Sequence, residues 1–155
     1  MPRVPLPSRL RRGRLAGWGL FLLCGWTLGC GGGGGGAITP EPEAKARLAK
    51  VLHLYQVYVE KNKKGPPNEK ALREFGQKLS SKERDEYLIG DDLEGIFTSP
   101  RDQKEFVIRY NVKPDPSQMR AIAWEADGKN GMRYVALTNG YVEEYDEETF
   151  KEYKK

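Results

Sequence analysis

The sequence predicts an α+β fold in which helices come first and a small antiparallel β-sheet follows. Three observations carry that expectation. Apolar residues recur at helical spacing from Ala44 to Val59. The pattern then switches to period two, first in Phe106, Ile108, Tyr110 and Val112, and again in Ile122 and Trp124. Finally, Asn139-Gly140 sits between the alternating runs Arg133–Thr138 and Tyr141–Tyr145, which is a hairpin signal.

Each element follows from its own residues. Thr39 is suited to cap the first helix, Pro40 to its first position, and Glu41 and Glu43 to its positive end. Ala44, Leu48, Val51, Leu52, Tyr55 and Val59 form one stripe, widened by Leu54, Val57 and Tyr58. A stripe that wide predicts a long helix lying across the sheet. Lys61, Lys63 and Lys64 suit its far end, and Gly65-Pro66-Pro67 stops it. Asn68 is a cap for a second helix with Ala71, Leu72, Phe75 and Leu79 on its buried face. Ser80 with Glu83 is a capping box for a short third helix carrying Tyr87 and Leu88. The first strand is expected over Phe106–Val112 and the second around Ile122 and Trp124, separated by Pro114-Asp115-Pro116. Asp127-Gly128 and Asn130-Gly131 turn the chain again. A type I′ turn at Asn139-Gly140 would set Leu137 opposite Val142, Tyr134 opposite Tyr145 and Thr138 opposite Tyr141. Asp146 can cap a last helical turn with Phe150 and Tyr153 inward.

This single α+β domain is expected over residues 39–155, and the 38 residues before it have a different character. Arg3, Arg9, Arg11, Arg12 and Arg14 crowd the start, and the first acidic residue is Glu41. The apolar stretch Leu15–Gly29 follows, then Cys30 and six glycines, Gly31–Gly36. A basic start, a short apolar run and small residues before a cut site make a secretory signal peptide, expected over residues 1–29. Fifteen residues span roughly 22 Å as a helix, short of the ~30 Å needed by the rival, a permanent membrane span. The glycine tract makes residues 30–38 a tether with a reach of roughly 12–15 Å. The whole chain carries a formal +4. Without its leader it has 21 basic and 22 acidic residues, so the basic charge belongs to export and a nucleic-acid partner is not expected.

Thr27-Leu28-Gly29-Cys30 resembles a bacterial lipobox. Cys24 is the poorer rival because bulky Leu23 precedes it. The resemblance implies that the Cys30 thiol carries a diacylglycerol, that cleavage falls before it, and that the new amino terminus is acylated with a fatty acid such as palmitate. Two or more acyl chains anchor a protein stably. The expected location is the bacterial cell envelope, with the domain on the periplasmic or outer side of the membrane that holds its lipid.

The long first helix ending in Lys64-Gly65-Pro66-Pro67, the Ser99-Pro100-Arg101-Asp102 turn before Phe106–Tyr110 and the closing hairpin Arg133–Glu144 resemble a second family. They look like the soluble half of type IV pilin-like and type II secretion pseudopilin proteins, and like uncharacterised lipoproteins of planctomycete-type bacteria. The resemblance implies a pilin-like fold and a partner in a secretion or pilus-like system. Those families have an apolar membrane-spanning first half-helix, whose place the lipid anchor would take here.

Chemistry is sparse. Two cysteines and one histidine, His53, exclude a four-ligand Cys/His zinc site. His53 lies mid-helix beside the apolar stripe, and Ser80, Ser81, Ser99 and Ser117 sit at caps or turns, where serine is locally favoured. Asp127-Gly128-Lys129-Asn130-Gly131 offers two oxygen side chains and departs from calcium-loop spacing. Asp91, Asp92, Glu94, Asp102 and the run Glu143, Glu144, Asp146, Glu147 and Glu148 form an acidic edge, which a glycosidase would have to fold across a cleft. The expectation is a non-enzymatic interaction module with no catalytic residue, no metal and no cofactor. It meets a membrane through Cys30 and possesses a partner among envelope proteins; an envelope hydrolase using the acidic edge is the alternative.

Overall fold

The computed structural model describes residues 40–155. Thr39, Cys30, the leader and the glycine tract lie outside the described residues. Helix α1 spans Pro40–Asn62, α2 Glu69–Lys78 and α3 Ser81–Glu86; a 3-10 turn covers Gly95–Phe97. Strands β1 (Val107–Ile108), β2 (Ala121–Trp124), β3 (Met132–Leu137) and β4 (Val142–Asp146) follow, then helix α4 (Glu147–Tyr153). The strands form a four-stranded antiparallel meander in the order β1-β2-β3-β4, so the fold class is α+β. No described helix is long and apolar enough to cross a membrane.

The local signals act where the sequence puts them. The Asn68 side chain accepts the Ala71 N–H, and Ser80 and Glu83 close a full capping box. Asp146 ends β4 and starts α4 by accepting the Thr149 N–H. Caps of this kind stabilise a helix by about 1 kcal/mol each, enough to fix where short helices such as α3 begin.

α1 lies along one face of the sheet. Leu48, Val51, Leu52, Leu54 and Tyr55 pack there with Leu72 and Leu79 of the second helical segment, Phe97 and Ile96 of the 3-10 turn, and Ile108, Ile122, Ala136 and Val142 of the strands. Gly76 lets α2 come close to α1: a Cβ there would sit 3.3 Å from Leu54 and Leu93. The other face is covered by α4. Phe150 packs with Ala121, Trp124, Val135 and Leu137, and Tyr153 stacks on Tyr145 at 4.9 Å. Both faces of β2 are therefore covered, which is why it is buried along its whole length, while β3 is fully buried only over Val135–Leu137.

Two expectations about the sheet are corrected. The first strand does not run to Val112. After the Arg109 N–H to Ile122 C=O bond, Asn111 takes φ 59 and donates its N–H to Pro66 C=O. The chain is drawn off the sheet onto the Gly65-Pro66-Pro67 segment, where Tyr55 Oη donates to Val112 C=O at 2.6 Å. Gly65 is required for that contact, because a Cβ would lie 2.2 Å from the Val112 carbonyl oxygen. The second correction is the closing hairpin. Ala136 faces Val142, Tyr134 faces Glu144 and Arg133 faces Tyr145, one residue away from the expected register. Gly140 has φ 94, while neither Thr138 nor Asn139 has positive φ. The Gly140 N–H bonds to Leu137 C=O, and the Leu137 N–H to Tyr141 C=O. This is a three-residue loop, a type I turn closed by a glycine bulge, rather than the two-residue type I′ turn.

Candidate functional site

The most concentrated polar chemistry in the described residues is buried where the Ser99–Lys104 loop meets the β2–β3 turn. The loop is a tight hairpin. Thr98 bridges Glu105, Ser99 N–H bonds to Lys104 C=O, and Gln103 takes φ 59. Glu125 follows β2 and is fully buried, as is Ser99. One Glu125 oxygen accepts Ser99 Oγ at 2.6 Å, and the other accepts the Tyr134 N–H at 2.9 Å. Arg101 reaches the same carboxylate at 3.6 Å with a side chain only 3% exposed, and donates to Glu144 on β4 at 2.7 Å. Its guanidinium lies 4.5 Å from the Tyr134 ring centroid, and Nη2 donates to Met132 C=O at 3.4 Å. Burial alone would disfavour this charge, but the Glu144 hydrogen bond and the Glu125 and Glu144 carboxylates raise the Arg101 pKa further. Arg101 Nε is buried without a hydrogen-bond partner.

Neighbouring contacts extend the stitch. Asp102 accepts the N–H groups of Asp127 (3.0 Å) and Gly128 (3.1 Å), and Lys104 pairs with Asp127. Gly128 is obligatory there, with φ 71 and a would-be Cβ 2.1 Å from Met132 C=O. Lys129 pairs with Glu41 at 2.6 Å, which brings the first turn of α1 to the same place. Arg47, held by Glu43, donates to the carbonyls of Gly95 (3.0 Å) and Thr98 (3.3 Å).

Ser99 beside Glu125 has the outline of a nucleophile and a base, but not the access. Both groups are sealed from solvent, both carboxylate oxygens are taken, and His53 is not among the partners. A carboxylate bridging a hydroxyl, a backbone N–H and a guanidinium fixes three chain segments in place. The arrangement suits a cluster that positions the fold.

The acidic edge is dispersed in the same way. Glu144 serves Arg101, Glu147 serves Arg133, Glu94 serves Arg73, and Asp146 caps α4. Glu143 accepts the Tyr145 hydroxyl. Asp91 pairs with Arg84, and Asp92 accepts the Gly95 N–H. Among the described residues no three His, Cys, Asp or Glu side chains gather to hold a metal ion. The Cys30 expectation lies outside the described residues.

A second feature is an open groove of about 270 Å³ between α1 and the end of α3. His53, Gln56, Val57 and Glu60 of α1 line one wall, and Glu86, Tyr87 and Leu88 the other. The groove is where His53 is used, as a wall residue.

Sequence reasoning identified the Ser99–Asp102 turn but not the Glu125 carboxylate that anchors it. The available signal was a lone acid directly after the apolar run Ala121–Trp124. No protein-family model, curated protein or solved structure matches the chain.

Proposed function

We propose that this is an exported bacterial envelope protein, anchored by lipid on Cys30, whose α+β domain is a non-enzymatic protein-interaction module. The observation that carries the proposal is the order of features along the chain. A basic start without acids, an apolar run too short for a span, Cys30 after a small residue and a six-glycine tether follow one another. Helix α1 starts shortly afterwards, at Pro40. A domain on such a tether floats close to a membrane and can meet its neighbours there.

The interaction role, as against hydrolysis, is supported by how the carboxylates are spent. Of the acidic edge, Asp91, Glu94, Glu144 and Glu147 serve arginines, Asp92, Asp102 and Asp146 accept backbone N–H groups and Glu143 accepts a tyrosine hydroxyl, which leaves Glu148 alone unpaired among the described residues. A hydrolase needs two left facing each other across a cleft. The long α1 on an antiparallel meander favours a second reading, an accessory component of a type II secretion or pilus-like system. That reading rests on the order of elements alone and carries less.

Metabolic labelling with an alkyne fatty-acid analogue tests the anchor. The wild-type protein is expected to take the label and to partition into membranes, and Cys30→Ser to do neither. Equal labelling of both would overturn the proposal.

A further inference from the structure

The end of α3 carries a residue that its own backbone disfavours. The Ile89 N–H bonds to Arg84 C=O at 2.8 Å and the Leu88 N–H to Asp85 C=O at 3.1 Å. This pair of bonds is a Schellman end, in which the residue after the cap turns left-handed and glycine is the usual occupant. Here that residue is Leu88, with φ 58. A β-carbon crowds the carbonyl in this conformation, so leucine costs stability that glycine would not. The cost is not returned by packing, because Leu88 is 67% exposed, more than any other large apolar residue described. Burial is completed by its neighbour, Ile89, which is fully enclosed.

Leu88 borders the α1–α3 groove, whose lining holds two carboxylates and neither lysine nor arginine, with Lys50 beyond it against Gly90. Lys61 lies over the Tyr87 ring but is engaged by Glu83 at 2.6 Å. Glu60 and Glu86, both exposed and both lining the groove, make no ion pair among the described residues. An apolar floor of Val57, Tyr87 and Leu88 is thus flanked by two unspent carboxylates. Asp85, Glu148 and Glu152 are also exposed and without an ion pair among the described residues, but Glu60 and Glu86 are the two that line this groove.

We propose that this groove docks a peptide segment of a neighbouring envelope protein that presents an apolar side chain beside a lysine or arginine. The apolar side chain meets Leu88, Tyr87 and Val57, and the cation meets Glu60 and Glu86. Opposite charge across the contact selects the basic segment and rejects an acidic one. A strained, exposed leucine is kept because its contact lies outside the domain. The inference deepens the interaction-module reading and is separable from the anchor: a groove that binds no basic peptide leaves the Cys30 labelling result untouched.

The test uses the full-length protein in detergent micelles and three immobilised synthetic peptides. They share their apolar residues and differ in carrying lysines, glutamates or serines. The lysine peptide is expected to retain the protein about tenfold better than the other two, and less so as salt rises. Leu88→Gly is expected to abolish that preference while its melting temperature stays level or rises, so unfolding cannot be the cause. Glu60→Gln combined with Glu86→Gln is expected to make the three peptides equivalent. Equal retention of all three by the wild type would overturn the proposal, as would full retention by Leu88→Gly. Sedimentation showing a dimer that Leu88→Gly dissolves would also overturn it, by seating a second copy of the chain in the groove.

Discussion

The Ser99–Arg101–Glu125 cluster and the α1–α3 groove are both built from charged and apolar side chains, and they use them in opposite ways. In the cluster a sealed carboxylate holds a hydroxyl, a backbone N–H and a guanidinium, and the guanidinium holds a second carboxylate. In the groove two carboxylates hold nothing described, and a leucine faces outward on an unfavourable backbone. Buried polar groups that satisfy one another stabilise a fold through the penalty for breaking them. Polar and apolar groups left unmatched at a surface do little for the fold and are available to a partner. The contrast separates what this chain uses to hold its shape from what it offers outward.

Substitutions can break that contrast. The largest effect is expected at Glu125→Ala, which leaves Arg101 with one carboxylate and strips Ser99 Oγ and the Tyr134 N–H of their acceptor. Removing one partner of a buried ion pair costs about 3–5 kcal/mol, readable in urea unfolding. Ser99→Ala deletes a donor to the same carboxylate and should cost about 1–3 kcal/mol by the same measurement. Leu88→Gly should go the other way and stabilise by about 1 kcal/mol or less. Glu60→Gln with Glu86→Gln should stay within about 0.5 kcal/mol of wild type, as surface changes without partners do.

Changing pH sharpens the same distinction. Tyr55 is buried against the Val112 carbonyl, and burial pushes its hydroxyl up to about 12. Its folded pKa lies above its unfolded value near 10, so its contribution is complete below pH ~10 and is lost as pH rises toward about 12. The slope is at most about 1.4 kcal/mol per pH unit. Tyr55→Phe should flatten part of it in alkaline unfolding, with Tyr110, Tyr134 and Tyr145, also raised by burial, among the other contributors. At the exposed Lys61–Glu83 pair between α1 and α3 the sign is reversed. The hydrogen bond from Lys61, then those from Ser80, hold Glu83 down to about 2. Its contribution is complete above pH ~4.5 and fades as pH falls toward about 2. A Lys61→Met variant should show a shallower acid transition in that window.

The sequence made the local parts of this molecule legible and hid the distant ones. Asn68 with Ala71, Ser80 with Glu83 and Asp146 with Thr149 are contacts three residues apart, so composition and spacing expose them. The same holds for the stripe on α1. The closing register was less legible because Asn-Gly fits both a two-residue turn and a three-residue loop, and these differ by one position in every cross-strand pair. The early end of β1 depends on Pro66 accepting from Asn111, a contact between segments far apart in the chain. Glu125 was hidden for the same reason, since Ser99, Arg101 and Glu144 converge on its surroundings from two other parts of the chain. Tyr87 and Leu88 were expected on the third helix, but that helix ends at Glu86, and the left-handed backbone and exposure of Leu88 distinguish it from a core leucine.

The division of labour is tested most directly by melting two variants of the full-length protein side by side in one detergent, Glu125→Ala and the Glu60→Gln, Glu86→Gln pair. The account predicts a drop of roughly 10–25 °C for the first, at about 3–5 °C per kcal/mol for a domain of this size, and a shift of no more than about 2 °C for the second. A Glu125→Ala protein that melts with the wild type, or a groove pair that melts far below it, would contradict it.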